Sequence, residues 1–156
     1  MEGNSIIQIK DLGIGAALAF SAMGSGWGAG VAGMAAIGAW KKAFAQNKAA
    51  SFALLAFVGA PLTQTIYGLI IMNKMADLAI KGQLTQYLWG VGTFSGIAMG
   101  LSALWQGKAG AVASDAMGET GKGFGNYIIV LGIIETVALF VMAFTLGILN
   151  KLAGVQ

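Results

Sequence analysis

The chain has no cysteine, no histidine and no arginine, so all nine of its basic residues are lysines. Without cysteine there is no disulfide framework, and without cysteine or histidine there is no zinc, haem or iron–sulfur site built on those ligands. Without arginine it lacks the bidentate phosphate and base contacts of a nucleic-acid surface, and no nucleic-acid partner is expected. Charge of either sign is scarce, at 10% of 156 residues with a net +3, and there is a single proline, Pro61. What is abundant is apolar: 57% hydrophobic side chains and 25 glycines. That balance excludes an ordinary water-soluble domain.

Four apolar runs stand out, Leu12 to Trp40, Ala49 to Met75, Tyr87 to Met117 and Phe124 to Leu149. Each exceeds the ~20 residues a helix needs to cross a bilayer, so the expected fold is an all-α membrane protein of four transmembrane helices, about 12–40, 49–75, 87–117 and 124–149. Lys10 before an apolar run with Ala17-Leu18-Ala19 has the outline of a signal peptide, but the run continues too far for one. The short connections, Lys41 to Lys48, Ala76 to Gln86 and Gly118 to Gly123, leave no room for a soluble catalytic domain. Lys41, Lys42 and Lys48 assign the first and third connections to the cytoplasm, against Lys10, Lys74, Lys81 and Lys151 on the other side.

The chain also reads as a repeat. Phe-Ser followed by small residues and a tryptophan opens at Phe20 and again at Phe94, and the polar pairs Gln64-Thr65 and Glu135-Thr136 centre the second and fourth runs. Two tandem hairpins, 1–76 and 77–156, are expected, parallel rather than inverted. Gly24, Gly26, Gly28, Gly30 and Gly33 in the first run, and Gly92, Gly96, Gly100, Gly107 and Gly110 in the third, recur at spacings that gather small residues on helix faces. Such faces let helix backbones approach closely. On spacing alone this fits packing within one chain as well as the inner wall of an oligomeric ring. Gly28, Gly30 and Gly33 also spell G-x-G-x-x-G, but inside an apolar helix with no preceding strand it is not a dinucleotide fingerprint.

Of the charged residues, only Lys74, Lys108, Asp115 and Glu135 fall inside the runs. Lys74 and Asp115 sit at run ends and Lys108 can snorkel, whereas Glu135 stands roughly 16 Å of helix rise from the nearer boundary. An ionised carboxylate there costs at least ~2.5–3.5 kcal/mol, so it must be protonated, bound to a cation or held by donors. A protonated acid tying helices together is the bland alternative. Gln64 and Gln106 reach the same depth, Thr63 and Thr65 flank Gln64, Tyr67 lies a turn beyond, and Pro61 frees carbonyl oxygens nearby. One negative charge among neutral oxygens suits a monovalent cation better than Mg²⁺ or Ca²⁺, with Na⁺ the first candidate and H⁺ the alternative.

In these features the sequence resembles the proteolipid (c or K) subunit of rotary V-type ATPases, in the duplicated four-helix form of the bacterial sodium-pumping branch. The carriers are the small-residue first and third runs, A-P-L-T-Q-T-I-Y-G from Ala60 to Gly68, W-Q-G-K from Trp105 to Lys108, and I-E-T from Ile134 to Thr136. The resemblance implies a Na⁺ site made by the Glu135 carboxylate, the side-chain oxygens of Gln64, Gln106 and Thr63, and the Ala60 carbonyl, with the Tyr67 hydroxyl bonded to the carboxylate. Leu62 departs from the pattern, standing where a glycine often follows the proline. Gln64 stands where a second acid would be if both halves carried an ion. The resemblance further implies a homo-oligomeric ring in the plasma membrane of a bacterium, surrounded by membrane lipid. A stator subunit with an arginine and a central stalk seated on the cytoplasmic connections make up the rest of the machine. ATP hydrolysis elsewhere in the complex drives it, so the chain is no enzyme by itself and needs no organic cofactor. A proton ring of the same family, a stand-alone four-helix transporter or channel, and a structural tetraspan protein are the competing readings.

Overall fold

The computed structural model describes residues 9–84 and 86–154. Among them the regular elements are all helical: α1 (Ile9–Ala45), α2 (Leu54–Gly59), a 3-10 turn (Ala60–Leu62), α3 (Thr63–Ile80), α4 (Leu88–Thr120) and α5 (Phe124–Ala153). Because α2, the turn and α3 run on as one, there are four spans long and apolar enough to cross a membrane, Leu12–Ala45, Leu54–Ile80, Leu88–Thr120 and Phe124–Ala153. Hydrocarbon offers backbone groups no water, so each such segment bonds its N–H and C=O groups internally as a helix. The chain is an integral membrane protein of four helices.

The helices outrun the apolar stretches that announce them, since hydropathy marks the hydrocarbon zone and not the end of backbone bonding. Lys41 and Lys42 lie on α1 and Asp77 on α3, leaving Lys48 as the lysine of the first connection. The second span begins at Leu54 rather than Ala49. Of the residues that bear on sidedness, the side chain of Lys10 lies outside the described set. After α1 the chain turns at Asn47, whose left-handed φ of 54° closes the helix with Lys48 N–H bonded to the Ala43 carbonyl at 2.9 Å. Between α4 and α5 the turn is shorter still. Gly121 and Gly123 take φ of 66° and 90°, a conformation that side chains resist, and fold the third span straight back onto the fourth.

α1 lies against α4 along its length, α3 packs on α1, and α5 packs on α4 and α3, while α1 and α5 scarcely meet. The α1–α4 contact is made by glycine. A Cβ on Gly24 would collide with the backbone of Gly100, one on Gly28 with the Ala103 carbonyl, and one on Gly107 with the backbone of Gly28. Gly26 and Gly30 face open space instead, so the glycines of α1 divide between an inner and an outer face. No hydrophobic force selects one helix contact over another in lipid, and this close approach, rich in dispersion contacts, takes its place.

The core is split. One apolar cluster, around Ile71, Met75, Leu88, Met99, Ala138 and Leu149, fills the half nearer the second connection. Another, around Ala36, Leu54, Phe57, Ala113 and Leu131, fills the half nearer the first and third. Phe57 anchors the latter against the rings of Phe124 and Tyr127, with centroids 5.5 and 6.1 Å away. Between the clusters lies a polar layer of fully buried Gln64 and Gln106 with the buried serines Ser25 and Ser102. At the end of the bundle Lys42 bridges α1 to α4 through Asp115 (3.2 Å) and Glu119 (3.0 Å), all exposed.

Replacing Gly107 by alanine is expected to lower stability by ~1–3 kcal/mol, because backbone and not a flexible side chain stands in the way. Gly147→Ala, on α5 with nothing near its Cβ, should leave stability unchanged or slightly raised. Denaturation of the detergent-solubilised variants by sodium dodecyl sulfate checks this; equal behaviour of the two would contradict glycine packing as the basis of the α1–α4 contact.

Candidate functional site

The break in the second span builds the first part of the site. Pro61 has no N–H to donate, so the chain tightens into a 3-10 turn in which the Thr63 N–H bonds the Ala60 carbonyl. The Thr63 hydroxyl donates to that same carbonyl at 3.0 Å and lies 3.2 Å from Gln64 Oε1. Helical spacing then puts Thr63 and Tyr67 one above the other, with Gln64 beside them pointing into the bundle.

On α4, Gln106 is fully buried and spends its amide completely. Its Oε1 accepts from Gln64 Nε2 at 2.7 Å, and its Nε2 donates to the Leu131 carbonyl at 3.0 Å and to Glu135 Oε2 at 3.2 Å. Tyr67 Oη donates to the other carboxylate oxygen, Oε1, at 2.8 Å. A continuous chain of hydrogen bonds thus runs from the Ala60 carbonyl through Thr63, Gln64 and Gln106 to Glu135, with Tyr67 closing it from above. All six residues expected at the site, Glu135, Gln64, Gln106, Thr63, Ala60 and Tyr67, are brought together in it. Thr65 is not: its side chain makes no hydrogen bond among the described residues.

The carboxylate has neutral company. Among the described residues the ion pairs are those of Lys42, and none involves Glu135. Lys108 lies on the outer face of α4, its ammonium 4.3 Å from the centre of the Trp105 ring. No group of three or more histidine, cysteine or acidic side chains occurs among the described residues, so the donor set is one carboxylate with amide, hydroxyl and carbonyl oxygens. Glu135 is half-buried, as are Ala60, Thr63 and Tyr67, while both glutamines are sealed in, so the acid has a route out of the bundle.

Two contributors escape a sequence reading based on depth. Ser102 Oγ donates to the Ile134 carbonyl at 2.9 Å, and the Leu131 carbonyl receives Gln106. Together they tie the backbone of α5 to α4 along the turn that leads into Glu135. The spacing of Ser102 and Gln106, four residues apart on one helix face, is the signal that would have found the serine.

Residues 89–148 match the family model of the ATP synthase C subunit. The match spans the hairpin of α4 and α5 and therefore includes Gln106 and Glu135. It makes that hairpin similar to the C subunit of ATP synthase. No curated protein matches the chain.

Gln106→Leu should cost more than Tyr67→Phe. The first strands the buried Gln64 amide and removes a donor from Glu135, a loss of ~1–3 kcal/mol or more, whereas the second removes one hydrogen bond, ~0.5–1.5 kcal/mol. Thermal unfolding in detergent, followed by circular dichroism, measures the order; the reverse order would contradict Gln106 as the hub.

Proposed function

We propose that the chain is the ion-carrying rotor subunit of a V-type ATPase, moving Na⁺ across a bacterial plasma membrane. The observation that carries this reading is the mid-span Glu135, held only by neutral donors and half-open toward the outside of the bundle. A carboxylate so placed is stable when a cation shares it and costly when none does. Glu135, the side-chain oxygens of Gln64, Gln106 and Thr63, and the Ala60 carbonyl are the ligands of the sodium ion, and Tyr67 holds the carboxylate in line. Their number exceeds what a proton needs, which favours Na⁺ over H⁺.

Many copies form a ring, with the open faces of α1 and α4 turned inward and α5 toward lipid. A central stalk sits on the cytoplasmic first and third connections, and ATP hydrolysis in a soluble assembly turns the ring. At the stator, an arginine and a water-filled path take the place of the ion as partner of Glu135. On returning to lipid the acid must be neutralised again, so rotation in one sense carries ions in one sense. The chain is two hairpins, 1–76 and 77–156, of which the first keeps an amide, Gln64, at the depth of the acid, giving one ion per four helices.

Carbodiimides attack protonated carboxyls, so at fixed pH labelling of Glu135 is expected to fall as millimolar Na⁺ is added. Protection by Na⁺ at constant pH supports the sodium ring. Labelling that follows pH alone and ignores Na⁺ assigns the ring to protons, and a stable monomer that transports without other subunits overturns the rotor reading. Glu135→Gln should abolish ATP-driven Na⁺ uptake by the reconstituted complex.

A further inference from the structure

One buried hydroxyl beside the site has no place in its network. Ser25 is 1% exposed and its Oγ has no hydrogen-bond partner among the described residues, although a helical serine commonly satisfies itself on the preceding turn. Ser21, one turn earlier on the same buried stripe of α1, does so, donating to the Ala17 carbonyl at 2.7 Å. An unpartnered buried polar atom is expensive and needs a reason.

The register of α1 against the second span supplies the location. Gly68 packs on Ser21, and Gly28 packs on the Pro61 ring, so the two segments run antiparallel with these pairs facing each other. Ser25 lies between Ser21 and Gly28, and Gln64 between Gly68 and Pro61, which sets Ser25 opposite Gln64. Both are sealed from the outside. Gln64 has two amide protons, and one is spent on Gln106 Oε1 at 2.7 Å.

We propose that Ser25 is a positioning residue for cation binding: its hydroxyl is the acceptor for the Gln64 amide when Gln106 Oε1 turns to the ion. The inference rests on the sodium reading of the site. A cation and an N–H proton repel each other at one carbonyl oxygen, so an ion that takes Gln106 Oε1 weakens the Gln64–Gln106 bond. In a sealed layer the released N–H must find another acceptor or forfeit a hydrogen bond, and Ser25 Oγ, across the helix contact and without a partner among the described residues, is the acceptor that α1 offers. Proton binding at Glu135 makes no demand on Gln106 Oε1 and therefore none on Ser25.

The test is carbodiimide protection of Glu135 in the purified full-length oligomer, titrated with NaCl. Ser25→Ala and Ser25→Gly should each raise the half-protecting Na⁺ concentration about 3- to 10-fold, the worth of one hydrogen bond. The pH profile of labelling in Na⁺-free buffer should stay that of the wild type, which a general loosening of the bundle would shift. Ser25→Thr, retaining the hydroxyl, should recover most of the affinity. Ser21→Ala, a hydroxyl lost from the same stripe, should move neither quantity. An unchanged Na⁺ titration in both Ser25→Ala and Ser25→Gly, or an equal shift in Ser21→Ala, overturns the role of Ser25 while leaving the sodium site intact. Absence of Na⁺ protection in the wild type itself overturns the sodium reading and this inference with it.

Discussion

A carboxylate halfway along an apolar helix, with no basic side chain paired to it among the described residues, has to be held by neutral donors that are themselves anchored. Gln106 is where that requirement converges. It bonds Glu135, the backbone of α5 and the amide of Gln64, so its own position fixes the relation among three helices. Its neighbour in sequence, Gly107, faces the other way and lets α4 settle onto the backbone of Gly28. Packing and site are thereby coupled within two adjacent residues. Anything that lifts α4 from α1 also drags the Gln106 amide away from the acid it steadies.

The split core follows from the same requirement. Polar side chains in hydrocarbon are tolerable only if they satisfy one another, and gathering them in one layer lets apolar residues seal it above and below. The Ile71–Met75–Leu88 side and the Phe57–Leu131 side are those seals. Within the layer nearly every donor is used, which gives the orphaned hydroxyl of Ser25 its weight: in a layer otherwise so fully bonded, an unused acceptor is out of keeping with its surroundings.

Much of this is legible in the sequence because membranes simplify the problem. Hydropathy alone locates four spans, and distance from the run ends puts Glu135, Gln64 and Gln106 at one depth. What depth cannot supply is rotation about the helix axis. Thr65 is as deep as Thr63 yet its side chain makes no hydrogen bond among the described residues, and Ser102 is a turn from Gln106 yet depth does not single it out, because which face each helix presents depends on the glycine contacts that set its neighbours. The helix ends differ from the run ends for a related reason: Lys41 and Lys42 leave the hydrocarbon without leaving the helix, since lysine is a good helix former and the backbone ladder continues into water. The glycines of α1 can be counted in the sequence but not sorted, because Gly24 and Gly26 differ only in what stands opposite.

Burial is unevenly distributed over the helices, and the site follows that distribution. α4 is the most enclosed helix and α5 the least, with only Leu131, Ala138 and Leu149 of its length buried. The amide and hydroxyl that hold the site, Gln106 and Ser102, ride on the enclosed helix, and the acid they support, Glu135, rides on the open one. Placing the acid on α4 would bury it beyond reach of any partner outside the bundle, and placing the amides on α5 would leave them unpaired against lipid. Ser102 and Gln106 hold α5 by two of its carbonyls as well as by the Glu135 carboxylate, so the backbone keeps anchors of its own that do not depend on the Glu135 side chain. Under the proposed function, an acid on the open helix supported from behind by a bonded network places the cost of each ion exchange on one side chain and its few hydrogen bonds, not on the packing of the bundle.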